Sequence, residues 1–129
     1  MKGTERYEKS VEKTNVGKLL NAFEKIKNWK IIDYFDFYEI SSDELNSINY
    51  SLKDIENLCP VIKGNKYKIG VYISAAINKI IKDGEEVRLN FRNKRIDFIG
   101  LYLSKGKIIV EGNAGDCVGF KMNGGNINI

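Results

Sequence analysis

The chain has 129 residues, 43% hydrophobic and 29% charged, with a net charge of +4; wholesale disorder is excluded, and there is room for one domain or a domain plus a short appended element. The mild positive balance comes with Lys and Glu alternating through "KGTERYEKSVEKTNVGK", which reads as a solvated face, and without a basic groove carrying aromatics no nucleic-acid partner is expected. There is no His, and Cys59 and Cys117 are far apart, which excludes a Cys–His nucleophile, a His-ligated or four-ligand zinc site and a disulfide framework.

Residues 1–15 are polar and read as a frayed N-terminal segment. "MKGTERYEKS" has no apolar signal region, and "IGVYISAAI" is far short of the roughly 20 residues that span a bilayer. A cytoplasmic location without a membrane partner is expected. The front part, 16–95, begins with Leu19, Leu20, Phe23 and Ile26 at helical spacing. This predicts a helix over 16–28 with Asn15 as its N-cap. "WKIIDYFDFYEI" mixes β-branched and aromatic residues and sets Phe35 and Phe37 against Asp36 and Tyr38, which predicts a strand. "SSDELNSI" and "SLKDIENL" each open on Ser followed by acidic residues, the signature of two short capped helical turns, and Pro60 closes the region.

"IGVYISAAINKIIKDG" is the strongest helical pattern, with Ile69, Ile73, Ala76, Ile77, Ile80 and Ile81 on one face and Gly84 as its stop. "EEVRLNF" alternates Val87, Leu89 and Phe91 with polar residues and reads as a half-buried strand, turned by "RNKR" toward "IDFIG".

Seven of the 12 glycines follow Ile99. Shifted by 19 residues, "IGLYLSKGKIIV" lies over "VGFKMNGGNINI". Gly100 then meets Gly119, Gly106 meets Gly125, Ile99 meets Val118, Leu103 meets Met122, Ile108 meets Ile127, and Val110 meets Ile129. Such self-similarity marks stacked repeats, with short strands such as "KIIVE" in parallel ladders. Gly100, Gly106, Gly112, Gly115, Gly119, Gly124 and Gly125 are the structural glycines of these corners.

The segment "GNAGDCVGFKMNGGNINI", preceded by "KGKIIVEG", resembles the glycine-rich right-handed β-helix module. That module occurs at the C-terminal end of the large glutamate synthase subunit and in one of the subunits of formylmethanofuran dehydrogenase. The pattern is G-x-x-G-x-x-x-G-x-x-M-x-G-G-x-I-x-I, and the resemblance covers about residues 96–129. It implies a scaffold that carries no catalytic residues and packs against domains that do. Family members run through many coils, whereas this sequence covers about one and a half.

No phosphate-binding loop is present: "GNAGDCVG" lacks the Lys of a Walker loop, and no G-x-G-x-x-G fingerprint occurs. Asp33, Asp36, Glu39, Asp43 and Glu44 read as a solvated edge and helix start. The run Tyr34, Phe35, Phe37, Tyr38 reads as core and interface. Both thiols read as idle.

These readings combine into an α+β fold, a small α/β front part followed by a short, incomplete right-handed β-helix segment. No catalytic residue, metal or cofactor is expected. The expected function is a scaffold or assembly protein, self-associating as a dimer or docking to a larger enzyme chain. Its interface is Met122, Ile127 and Ile129, whose strand edge offers unpaired backbone groups that either a second copy covers or the front helices fold back over as a cap. Two other readings are an accessory subunit of a glutamate synthase-like or formylmethanofuran dehydrogenase-like oxidoreductase, and a small-ligand module built on the face of "DYFDFYEI".

Overall fold

A computed structural model of the chain describes residues 14–30 and 33–129. The expected frayed segment over 1–15 lies almost wholly outside the described residues. Helix α1, Asn15–Ile26, is capped by Thr14, whose hydroxyl accepts from Gly17 N at 2.9 Å. The cap therefore sits one residue earlier than expected. Asn15 instead donates its side-chain amide to Asp54 Oδ2 at 3.1 Å. Leu19, Ala22, Phe23 and Ile26 form the buried stripe.

The strand expected over "WKIIDYFDFYEI" is overturned among its described residues. Helix α2 runs Tyr34–Leu45, with Asp33 as N-cap accepting from Asp36 N at 3.0 Å. The physical reason is in the spacing: Phe37, Ser41 and Leu45 are buried at four-residue intervals, one face of a helix. A short apolar run fits either period, and the cap together with packing on a neighbouring helix decides it. Ser41 and Ser42 are consequently helix interior, not the cap of a separate turn. The second expected turn does form as α3, Leu52–Leu58, closed by a reciprocal capping box between Ser51 and Asp54.

Helix α4, Lys66–Ile80, is the centre of the molecule. Asn65 caps it by accepting from the amides of Tyr67 and Lys68. It starts earlier than expected and ends at Ile81, which has already turned to extended backbone (ψ 139°) before Gly84 is reached. From Ile69 to Ala76 it is buried on all sides, and α2 is its most extensive helical neighbour. Two phenol groups entering this core have partners: Tyr72 donates to Leu19 O at 2.6 Å and Tyr50 to Ala76 O at 2.8 Å.

Strands β1 (Glu86–Leu89), β2 (Lys107–Val110) and β3 (Asn126–Asn128) form a parallel sheet in the order β1-β2-β3. The fold is mixed α+β, with four helices and this small sheet among the described residues. Val87, Ile108 and Ile127 line up across it. The step from β1 to β2 is 21 residues (107 − 86) and from β2 to β3 it is 19 (126 − 107). The two extra residues lie between Asn90 and Ile96, because Glu111 N reaches Leu89 O whereas Gly115 N already reaches Ile96 O. In that loop Arg92 and Asn93 take positive φ, Phe91 is buried, and Lys94 donates to Ile62 O at 2.7 Å. β1 belongs to the expected front part, so the sheet runs across the 95/96 boundary, and one apolar core extends from Leu19 to Val110.

Candidate functional site

The C-terminal segment is held to α4 by a stripe of small and polar residues four apart. At Gly70 the helix backbone meets the chain at Asp97 so closely that an added Cβ would fall on the Asp97 carbonyl oxygen and lie 2.7 Å from its carbon. One turn on, Ser74 Oγ donates to Phe98 O at 2.9 Å and accepts from the amides of Gly100 and Leu101 at 3.2 Å each. Another turn on, Asn78 Nδ2 donates to Leu101 O at 2.8 Å and to Tyr38 Oη at 3.0 Å. Burial raises the Tyr38 pKa, and the Asn78 bond partly opposes this. Sequence reading found the isoleucine face of α4 and missed this second stripe. A lone Gly within an apolar helix was its only signal.

Residues 93–111 and 112–129 repeat each other in conformation. Positive φ occurs in pairs 19 apart: Asn93 with Gly112, Phe98 with Cys117, Gly100 with Gly119, Tyr102 with Lys121, and Gly106 with Gly125. The second repeat lies on the first through backbone bonds. Phe98 N donates to Asp116 O (2.9 Å) and Tyr102 N to Phe120 O (3.1 Å). In the other direction Gly115 N donates to Ile96 O, Gly119 N to Ile99 O, Asn123 N to Leu103 O and Asn126 N to Gly106 O, all at 2.8–3.0 Å. The Asp97 carboxylate adds a bond from Asp116 N at 2.8 Å. Glycine matters here through close approach as well as φ: a Cβ on Gly125 would lie 2.8 Å from Gly106 O, and one on Gly124 would overlap Ser104 O. Gly115 is pressed against Asp97, whereas Gly112 faces open space.

Burial changes sharply from one repeat to the next. Ile99, Leu101, Leu103, Ile108 and Val110 are buried. Their counterparts Val118, Met122 and Ile127 are half-buried, Phe120 is 36% exposed and Ile129 is 66% exposed. The first repeat is covered by the second, and among the described residues no further strand pairs with the outer edge of β3. The opposite edge of the sheet is closed: α3 packs on β1, and Arg88 N donates to Glu56 Oε2 at 2.8 Å. The molecule therefore has one sealed strand edge and one open one, the open face carrying the expected interface residues Met122, Ile127 and Ile129.

Other clusters carry less chemistry. A cleft of about 380 Å³ at the N-terminal ends of the strands is lined by Asp83, Glu85, Glu86, Lys107 and Asn126. Its Glu85 carboxylate is occupied by Lys82 N. Among the described residues no three His, Cys, Asp or Glu side chains converge as metal ligands. Asp33 is spent on the α2 cap, and Glu39 and Asp43 stand exposed. The rings of Tyr34, Phe98, Tyr102 and Phe120 pack on one another at 5.2–6.3 Å between centroids. Phe37 belongs to the core while Phe35 is exposed. Cys117 is exposed and Cys59 buried; desolvation, with the Glu56 charge nearby, holds the Cys59 thiol well above its ordinary pKa.

No described helix is long and apolar enough to cross a membrane. Comparison with protein-family models, curated proteins and solved structures finds no match.

Proposed function

We propose that this chain is a non-catalytic assembly protein whose residues 93–129 form a short right-handed glycine-rich β-helix segment, and that the exposed face of its second repeat docks on a second copy of the chain. The observation that carries the reading is the contrast between the two ends of the stack: β1 is capped by Glu56, while the second repeat leaves Val118, Met122 and Ile127 only half-buried and Phe120 and Ile129 exposed. The 19-residue step and the paired left-handed residues support the β-helix part. The resemblance of residues 96–129 to the glutamate synthase-type module supports a scaffolding role.

One sealed end and one open end favour a closed two-fold pair over a filament, because head-to-tail stacking would need the sealed edge. Completing the burial of five half-open side chains contributes roughly 1 kcal/mol each, about 10 kcal/mol for a symmetric pair. Association itself costs about 4–15 kcal/mol, so the pair is concentration-dependent. The test is solution mass by light scattering over a concentration series, for the full chain and for Ile127→Lys. A dimer for the first and a monomer for the second is expected. A full chain that stays monomeric at high concentration overturns the reading.

A second reading, an accessory subunit of a larger oxidoreductase, is favoured by one feature. The donors and acceptors of the second repeat follow the parallel order that the first repeat uses, which suits a further glycine-rich coil on another chain. It predicts a monomer in isolation and a defined complex with an enzyme bearing such a coil.

A further inference from the structure

Resting on the second-copy reading, we propose the register of the pair: β3 meets β3 of the second copy antiparallel, with Ile127 opposite Ile127 on the two-fold axis. In a parallel ladder the N–H and C=O of one residue face the same neighbour, and the facing alternates along the strand. Asn126 N donates to Gly106 O, so the N–H and C=O of Ile127 face away from β2. The same alternation turns Ile129 N outward, and Gly125 O matches Gly106 O, which accepts from the next repeat. The edge thus offers acceptor, donor, acceptor and donor in the order Gly125 O, Ile127 N, Ile127 O, Ile129 N. This order is self-complementary under a two-fold axis at Ile127. Ile127 exchanges both bonds with its mate, and Ile129 N donates to Gly125 O of the second copy in each direction.

The side chains obey the same symmetry. "NIN" reads identically from either end. Ile127 stands in the column begun by Val87 and Ile108, and its mate continues that column. Asn126 falls opposite Asn128 of the second copy, amide to amide. Met122–Ile129 contains no charged residue and no Pro in a chain that is 29% charged. Charged residues, which normally block edge pairing, are missing from this edge, whereas Glu86 and Arg88 mark the other edge strand, β1.

The test is cross-linking in a Cys117→Ser background, with Cys59 left in the core. With Ile127 as a hydrogen-bonded pair, residues 126 and 128 form a non-hydrogen-bonded pair at about 4.5 Å between Cα atoms, inside disulfide range. Residue 126 and its own copy are then roughly 8 Å apart, outside that range. Asn126→Cys and Asn128→Cys chains, distinguished by mass, are each oxidised alone and after mixing. A covalent dimer of one chain of each kind from the mixture, and none from either alone, is the expected result. A non-covalent dimer in which Asn126→Cys cross-links to itself, or in which no pair forms, overturns the register and leaves the second-copy reading standing. A monomer by light scattering overturns both.

Discussion

Gly70→Ala separates helix propensity from packing, because the two give opposite signs. In a helix interior Ala is favoured over Gly by about 1 kcal/mol, and Gly70 lies in the middle of α4 with ordinary helical φ. Yet the added methyl would fall on Asp97 O, with Ile96 Cγ2 at 3.2 Å on the same side. Backbone cannot rotate away as a side-chain tip can, so the Asp97 segment must withdraw from α4. Overpacking of this kind costs about 1–3 kcal/mol. Withdrawal also strains the three Ser74 bonds to Phe98, Gly100 and Leu101, each contributing about 0.5–1.5 kcal/mol. After the propensity gain is subtracted, a net loss of about 2–4 kcal/mol remains, roughly 10 °C in Tm for a domain of this size. Urea titration followed by far-UV circular dichroism reads it as a lower midpoint at unchanged slope. Ser74→Ala on top of Gly70→Ala should add less than it does alone, since both loosen one junction. A Gly70→Ala protein as stable as the parent, or more so, refutes the close approach and with it the placement of the C-terminal repeats on α4.

Gly119→Val should cost about 1–3 kcal/mol through positive φ, because the nearest obstacle is the movable Met122 Sδ at 2.7 Å; coincident melts would refute the corner. Ser41 Oγ is buried without a hydrogen-bond partner in the described structure, so Ser41→Ala should be neutral or stabilise by about 1 kcal/mol, and a clear loss in a urea titration would show that the hydroxyl is satisfied. Native protein should react with iodoacetamide at Cys117 alone and at Cys59 only on unfolding, as mass spectrometry would show; Cys117→Ser should leave fold and solution mass unchanged. A fast-reacting native Cys59 would contradict its burial.

Legibility along the sequence followed the range of the forces involved. The capped turn at Ser51 was readable because its box is complete within four residues. The 19-residue step was readable because like residues sit at like positions, and Ile108 and Ile127, superposed by that shift, are paired in the sheet. β1 was readable as a strand but not as a member of the same stack, since the two-residue expansion around Arg92 and Asn93 breaks the period. Tyr34–Leu45 was misread because aromatic residues favour strands locally while their partners on α4 are about 40 residues away, as in the Asn78–Tyr38 bond. Left-handed backbone at Phe98, Tyr102, Cys117 and Lys121 left no trace, because none is glycine. The apolar positions of the second repeat were legible from the shift that superposes them on the first; the Glu56 contact with β1 required knowing where α3 lies.

The sheet order β1-β2-β3, sealed at β1 only, sets a gradient in how fast backbone amides exchange with deuterium. Each strand relies on the one before it, and β1 relies on α3 and the core. Opening the ladder from β3 breaks one set of neighbours, whereas opening at β1 requires the whole stack to part. Protection should therefore fall from Val87 through Ile108 to Asn128, with the amides of α4 the slowest of all. Covering the free edge would slow Ile127 and Ile129 most and Val87 least. The strand farthest from the core would then report on its surroundings, while the rest of the molecule kept its own time.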